Sequence, residues 1–288
     1  MSSPKVWLIT GASTGFGRSV TEFALQQGDI AVATLRKPDV LSDLVDRYPR
    51  DRLLVVKLDV TKQADIDAAF AQAKSVFGRV DFVLNNAGFG IVAEIEGTRD
   101  KTARDVFEVN FWGAANVSRE AVRFFREENS PAGGRLLQMS SLSGIESTPG
   151  VGYYCASKFA LEGLSEGLSR ELDPSWNIKI IILEPGPFRT NAPVENAVIE
   201  PLHPAYRNPS LPTAAWRNVF PNVKPYFNGD PDKFAAAVYR VAYLEDPPLR
   251  LPIHEASLAS LRKKGRELLA AADKYESWSE GVIFQDIE

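Results

Sequence analysis

The stretch Lys5-Val6-Trp7-Leu8-Ile9-Thr10-Gly11-Ala12-Ser13-Thr14-Gly15-Phe16-Gly17 decides the fold. Lys5 to Thr10 has the length and apolar content of a short buried strand. Past the glycine-rich turn, Phe16, Val20, Phe23 and Ala24 recur at helical spacing. The same alternation continues downstream. Ile30 to Leu35 reads as a strand, Leu41 to Tyr48 as a helix, and Leu53 to Val60 as a third strand. Ile66, Phe70, Ala73 and Phe77 then mark a helix, and Val80 to Leu84 a fourth strand. Strand-helix alternation of this kind predicts a parallel sheet with helices on both faces, joined by right-handed crossovers: a doubly wound α/β fold.

Composition narrows the function classes. The chain has 288 residues, 44% of them hydrophobic, which suits one sizeable α/β domain. A net charge of −4 gives no electrostatic footprint for nucleic acid. The single cysteine, Cys155, excludes an internal disulfide, and His203 and His254 are too far apart, without other soft ligands, to suggest a zinc site. The opening residues contain neither a signal-peptide apolar region nor a membrane span, so a soluble cytoplasmic protein is expected.

Two local patterns carry chemistry. Glycines between a strand and a helix let the backbone approach a pyrophosphate, and the helix presents unpaired N–H groups at its positive end. Gly11, Gly15 and Gly17 follow a Gly-x-x-x-Gly-x-Gly spacing, with Ser13, Thr14 and Phe16 between them. Farther on, Tyr154 and Lys158 stand one helical turn apart, and Leu161, Leu164, Leu168 and Leu172 supply an apolar stripe for burying that helix. A cation beside a phenol favours the phenolate, which would make Tyr154 a usable acid/base group.

Thr10-Gly11-x-x-x-Gly15-x-Gly17, Asn85-Asn86-Ala87-Gly88, Asn110, Ser141 and Tyr154-x-x-x-Lys158 occur in the order and spacing of the short-chain dehydrogenases/reductases. From about Lys5 to about Thr190 the chain resembles that family, which implies a Rossmann fold and a catalytic set of Asn110, Ser141, Tyr154 and Lys158. Only Tyr154, not its neighbour Tyr153, has a lysine four residues later. Ser141 lies in Ser-x-x-Gly thirteen residues before Tyr154, which leaves Ser140 and Ser143 as turn residues. The resemblance further implies that Asp59 and Val60 flank the adenine, that Asn86, Ala87 and Gly88 shape the floor beneath the adenosine, and that Pro185, Gly186, Phe188 and Thr190 border the nicotinamide.

At the end of the second strand, where an NAD enzyme would carry an acid, the chain has Arg36 and Lys37. A cation there suits a 2′-phosphate, so NADP(H) is expected over NAD(H). Leu35-Arg36 and Tyr154 to Leu164 are similar to the NADP-preferring hydroxysteroid dehydrogenases, and the tail is similar to those of the retinol and hydroxysteroid group.

These readings predict one domain over 1–288. Its cofactor half covers about 5–110 and its catalytic and substrate half about 110–190. A substrate lid over about 187–230 follows the sixth strand, the buried run Ile178 to Glu184, and a helix-strand-helix over about 231–280 ends the domain. Ten of the 19 prolines fall between Pro185 and Pro231, interspersed with aromatics, as suits a lid rather than disorder. Gly90 to Val92 and Ile145 to Gly150 complete an apolar pocket wall. The expected activity is reversible reduction of a medium-sized apolar ketone or aldehyde, with a small-molecule substrate as the only partner besides a second copy of the chain. The family resemblance implies a homodimer or homotetramer formed through the helices of Asn116–Phe125 and Phe159–Leu172. The rival reading is a cofactor-binding sensor, scaffold or non-redox enzyme on the same fold.

Overall fold

A strand that is apolar at successive positions must be buried on both faces. In the computed structural model, which describes residues 3–190, 197–219 and 225–283, the leading strand is buried in this way. The first half of the chain forms β1 (Val6–Thr10), α1 (Gly15–Gln26), β2 (Ile30–Leu35), α2 (Ser42–Val45), β3 (Leu53–Lys57), α3 (Gln63–Phe77), β4 (Phe82–Asn85), β5 (Ile91–Val92), α4 (Asp100–Phe107) and α5 (Ala114–Glu127). The second half forms β6 (Gly134–Met139), α6 (Gly152–Glu171), β7 (Ile178–Pro185), β8 (Val198–Ile199), α7 (Pro212–Val219), α8 (Pro231–Ala242), β9 (Arg250–Ile253) and α9 (Glu255–Tyr275). A π-helical turn, Glu108–Gly113, joins α4 to α5.

Seven strands make one parallel sheet in the order β3-β2-β1-β4-β6-β7-β9. Trp7 and Ile9 of β1 point into one core, which is closed by Val20 and Ala24 of α1, Leu44 of α2, and Phe234 and Val238 of α8. Val6 and Leu8 point into the other, closed by Ile66 and Phe70 of α3 and by Val117, Phe124 and Phe125 of α5. Each fully buried side chain of this size contributes about 1.5–3 kcal/mol. The Asp230 carboxylate caps α8 by accepting from the backbone N–H groups of Asp232 and Lys233, a contact worth about 1 kcal/mol. Strand order reverses between β1 and β4, and in such sheets ligands occupy the crevice at the carboxyl ends of the strands where that happens.

Three elements differ from their sequence expectation. The region of Leu41 to Tyr48 holds a 3₁₀ turn, Pro38–Leu41, running into the single-turn α2. β3 stops at Lys57, because Asp59 folds the chain into a turn by accepting from the N–H and hydroxyl of Thr61. β6 was not visible as a strand, since Arg135 and Gln138 interrupt its apolar run. Gln138 is nonetheless fully buried, accepting from Asn85 and donating to Ser118.

The segment expected to be a lid is anchored on one side. β8 pairs in parallel with β5, with Val198 N–H donating to Gly90 and Glu200 N–H to Val92. Arg217 of α7 grips the buried Glu94 carboxylate with two bonds of 2.7 and 2.8 Å. The buried Glu200 accepts from Arg99 and from Thr102. Residues 191–196 and 220–224 of the expected lid lie outside the described residues.

The Arg217 hydrogen bonds hold the Glu94 carboxyl down to about 2 against the opposing effect of burial. Because that folded value is depressed, the stabilisation is complete above the ordinary carboxylate range and is lost as pH falls towards 2. Arg217→Met should leave Glu94 buried without its partner and speed amide hydrogen exchange in residues 197–219 by at least about tenfold, with the seven-stranded sheet unaffected. Mass-spectrometric exchange checks both parts.

Candidate active site

The crevice at the switch point is built from backbone brought unusually close together. Gly11 and Gly15 have φ of 67° and 55°, in the left-handed region. A methyl group at Gly17 would lie 2.4 Å from the Gly11 carbonyl oxygen, and one at Gly11 would lie 3.0 Å from Ala87 Cα. Thr10 Oγ1 accepts from the backbone N–H groups of both Asn86 and Ala87, and the Asn86 amide donates to the carbonyls of Thr10 and Gly11. Asn86 therefore fixes the glycine turn to the end of β4. Thr14 precedes α1 in an extended conformation without a side-chain cap, and the first turn of α1 carries no acid. Ser13 and Thr14 lie on this rim. The uncapped helix start and the cradle that any Cβ would fill suit a dinucleotide pyrophosphate.

Not every residue of the turn faces that cradle with its side chain. Phe16 packs against Phe188 and Phe234, at centroid distances of 5.3 and 4.0 Å. Phe188 is buried, whereas Phe16 is partly buried against the same core. Val60 is also buried, and a methyl group at Gly113 would lie 2.7 Å from its Cγ2. Thr190 comes over the turn, so that a methyl group at Gly15 would meet its Cβ at 3.3 Å. Arg36 and Lys37 are exposed at the end of β2. Burial raises the Asp59 carboxyl, but the Thr61 bonds outweigh it and, with smaller help from Lys62 and Arg36, leave it lowered. Gly186 is held by His254, whose Cβ would be 2.8 Å from a methyl group there. The His254 ring bonds Asn228 at 2.9 Å.

The four residues of the expected catalytic set converge beneath this cradle. Asn110 sits in the π-helical turn with its amide clamped on Phe89: Oδ1 accepts from the Phe89 N–H at 3.0 Å and Nδ2 donates to the Phe89 carbonyl at 2.9 Å. Nδ2 also donates to Ser157 Oγ, which donates to the Tyr154 carbonyl. A methyl group at Gly88 would lie 3.0 Å from Asn110 Oδ1 and 3.7 Å from Lys158 Nζ, so glycine eases the approach. Ser141 opens a 3₁₀ turn, Leu142–Gly144, accepts from the Ser143 N–H, and shares a hydrogen bond with Tyr154. On α6, Lys158 Nζ donates to the Met139 carbonyl at 2.7 Å and lies 5.7 Å from the Tyr154 ring centre.

Electrostatics here depart from the sequence expectation. Burial raises the Tyr154 phenol above its ordinary value, and the Ser141 hydrogen bond offsets only part of that. Burial also brings the Lys158 ammonium down to about 8, although Glu162 pulls it upward. The lysine is committed to a main-chain carbonyl, and desolvation outweighs the effect of one charge on the other. Tyr154 is therefore a neutral O–H donor at pH 7, with Lys158 still largely charged.

Sequence reasoning missed several supporting groups: Ser157, the Met139 carbonyl, His254, and a buried cluster of Ser140, Glu162, Glu184 and Arg250. Glu162 stands one helical turn beyond Lys158, a spacing visible in the sequence. Nothing local marks Arg250. Ser140 is not merely a turn residue, because its hydroxyl donates to Glu162.

Residues 5–197 match the short chain dehydrogenase family. The chain belongs to that family. An uncharacterized oxidoreductase of Schizosaccharomyces pombe is 38% identical over 281 residues, covering 98% of this chain and 92% of that one. A 3-ketodihydrosphingosine reductase of Bacteroides thetaiotaomicron is 33% identical over 251 residues, covering 87% and 88%. A crystal structure of a short-chain dehydrogenase from Streptomyces avermitilis superimposes with a TM-score of 0.87 at 36% identity, covering 98% of this chain and all of the other. This dehydrogenase is thus an oxidoreductase built to bind a nicotinamide cofactor.

Gly17→Ala should cost this dehydrogenase about 1–3 kcal/mol and weaken nicotinamide-dinucleotide binding at least about tenfold, because the clash is with backbone. Gly265→Ala in α9, where a methyl group meets nothing within 4 Å, should leave both unchanged or slightly improved. Thermal unfolding and cofactor fluorescence titration compare the two.

Proposed function

We propose that this dehydrogenase is an NADP(H)-dependent carbonyl reductase, reversible as an alcohol dehydrogenase, acting on an apolar ketone or aldehyde of moderate size. The observation that carries the reading is the convergence of the Tyr154 phenol, the Ser141 hydroxyl and the Lys158 ammonium below a glycine cradle, with Arg36 exposed just past the end of β2. The nicotinamide, when bound, supplies or takes the hydride. Tyr154 gives its proton to the carbonyl oxygen of the substrate, and Ser141 donates a hydrogen bond to the charge developing there. Lys158 holds the nicotinamide ribose and keeps positive charge beside Tyr154. Both Asn110 amide hydrogens are committed to Phe89 and Ser157, so a water relaying protons at its side chain would have to donate to Oδ1. Gly11 to Gly17 receive the pyrophosphate, Asp59 and Val60 flank the adenine, and Thr190 with the backbone of Pro185 to Phe188 borders the nicotinamide.

Arg36 supports NADP(H), since its guanidinium can pair with a 2′-phosphate through two bonds. The lid supports an apolar substrate: Trp216 and Thr213 of α7 lie against Gly150, and Ala197 against Gly90. The relative named 3-ketodihydrosphingosine reductase points in the same direction. Phe159, large and exposed on one of the helices expected to pair, and Trp112, exposed in the turn leading into the other, support a homodimer or homotetramer. Among the described residues no helix is long and apolar enough to cross a membrane.

Turnover is measured as NADPH oxidation over a panel of ketones, aldehydes and steroids, and again with NADH. Tyr154→Phe should lower kcat about 10²–10⁴-fold while NADPH still binds, because the proton donor is lost and the cradle is not. Full activity in that variant would refute Tyr154 as the acid. Arg36→Ser should weaken NADPH about 10–100-fold and leave NADH nearly unchanged. Equal losses for both cofactors would refute the NADP(H) assignment.

A further inference from the structure

Behind the site lies a buried cluster that draws on four separate parts of the chain. Glu162 of α6 and Glu184 of β7 are 4% and 0% exposed. Arg250 of the edge strand β9 reaches both through Nη1, bonding Glu184 at 2.7 Å, and touches Glu166 through Nη2. Ser140 donates to the other oxygen of Glu162. The fit at this point is tight: a methyl group at Gly144 would lie 2.1 Å from Glu162 Oε1 and 2.5 Å from Ser140 Oγ. Arg250 lies beyond the residues matched to the family, 5–197. The other three members nevertheless adjoin parts of the site: Glu162 follows Lys158 by one helical turn, Ser140 precedes Ser141, and Glu184 precedes Pro185.

We propose that Glu162, clamped by Arg250, is a positioning residue for the reaction: through Ser140 it holds the turn carrying Ser141, and it supplies the fixed negative charge that faces Lys158. This rests on the roles given above to Ser141 and Lys158. Arg250 bonds both buried carboxylates through the same Nη1 and so fixes Glu162 in place. The groups facing Glu162 are Ser140 after β6, Glu184 on β7, Arg250 on β9, and Lys158 and Glu166 on its own helix. Burial and the neighbouring Glu162 raise the Glu184 carboxyl to about 7, against the pull of Arg250, which makes Glu184 the member of the cluster that takes up a proton. Without the charge of Glu162, the buried Lys158 loses the one group that pulls its ammonium upward.

The test compares wild type, Glu162→Gln and Glu162→Asp. The Lys158 side chain is titrated by NMR with isotope-labelled lysine, and kcat is measured against pH at saturating NADPH. In Glu162→Gln the Lys158 signal should titrate at lower pH, by about a tenfold change in proton affinity. The alkaline limb of kcat should shift the same way, since activity that needs the ammonium is lost as pH rises through its titration. The kcat value should fall about tenfold with KM little changed, and Glu162→Asp should restore both the limb and most of the rate. A folded Glu162→Gln protein whose Lys158 titration is unmoved would overturn the inference, whatever its activity. A shifted titration in a protein that reduces no carbonyl would sustain the coupling while refuting the proposed reaction. If Glu162→Gln does not fold, Ser140→Ala removes only the hydroxyl: a several-fold lower kcat at unchanged NADPH affinity supports the link to Ser141, and an unchanged kcat overturns it.

Discussion

The amide of Asn110 is bonded on both its sides to one residue, Phe89, and the geometry of the site depends on that clamp. The helix running from α4 into α5 widens into a π-helical turn at this point, which places Asn110 beneath the loop that follows β4. The same amide holds Ser157, and Ser157 holds the main chain of Tyr154, so one side chain ties three elements together. Glycine at residue 88 eases this approach, since a methyl group there would press on Asn110 Oδ1 at 3.0 Å. Asn110 therefore acts as a fixed reference between the loop after β4 and the helix that carries Tyr154 and Lys158.

Desolvation is the second governing condition. The site lies below the surface, and the neutral phenol and depressed ammonium both follow from their removal from water. Lys158 is compensated by a main-chain carbonyl rather than by a carboxylate in contact. Its acidic neighbour stands a helical turn away and is occupied with Arg250 and Ser140. Such an arrangement leaves the lysine free to exchange hydrogen-bond partners without breaking an ion pair.

The chain beyond the family match closes the structure around this centre. α8 completes one core against Phe16 and Phe188, β9 extends the sheet beside β7, and His254 presses on Gly186. On the other side, the β5–β8 ribbon and the Glu94–Arg217 pair fix the lid to the wall of the crevice. The packing around Glu94 and Glu162 thus comes largely from segments with weak periodicity, joined by contacts between residues 88 and 123 positions apart.

The doubly wound fold, the glycine cradle and the grouping of Asn110, Ser141, Tyr154 and Lys158 were legible in the sequence, because each rests on a local pattern: short continuous apolar runs for buried strands, helical recurrence, and residues fixed a set number of positions apart. Strand β6 was not legible, because its buried Gln138 is satisfied by partners on β4 and α5 that no local pattern announces. The orientations of Phe16, Phe188 and Val60, which turn into the cores, were hidden for the same reason. So were the directions of the Tyr154 and Lys158 shifts, since a sequence shows which charges are neighbours along a helix but not how much water they lose. The sequence by itself determined which groups could do chemistry and in what order they come. Only the tertiary structure decided which of them are buried, what each is bonded to, and that Arg250 reaches Glu162 from 88 residues away. Burial and long-range pairing depend on how distant segments pack, and the order of residues carries no local record of that.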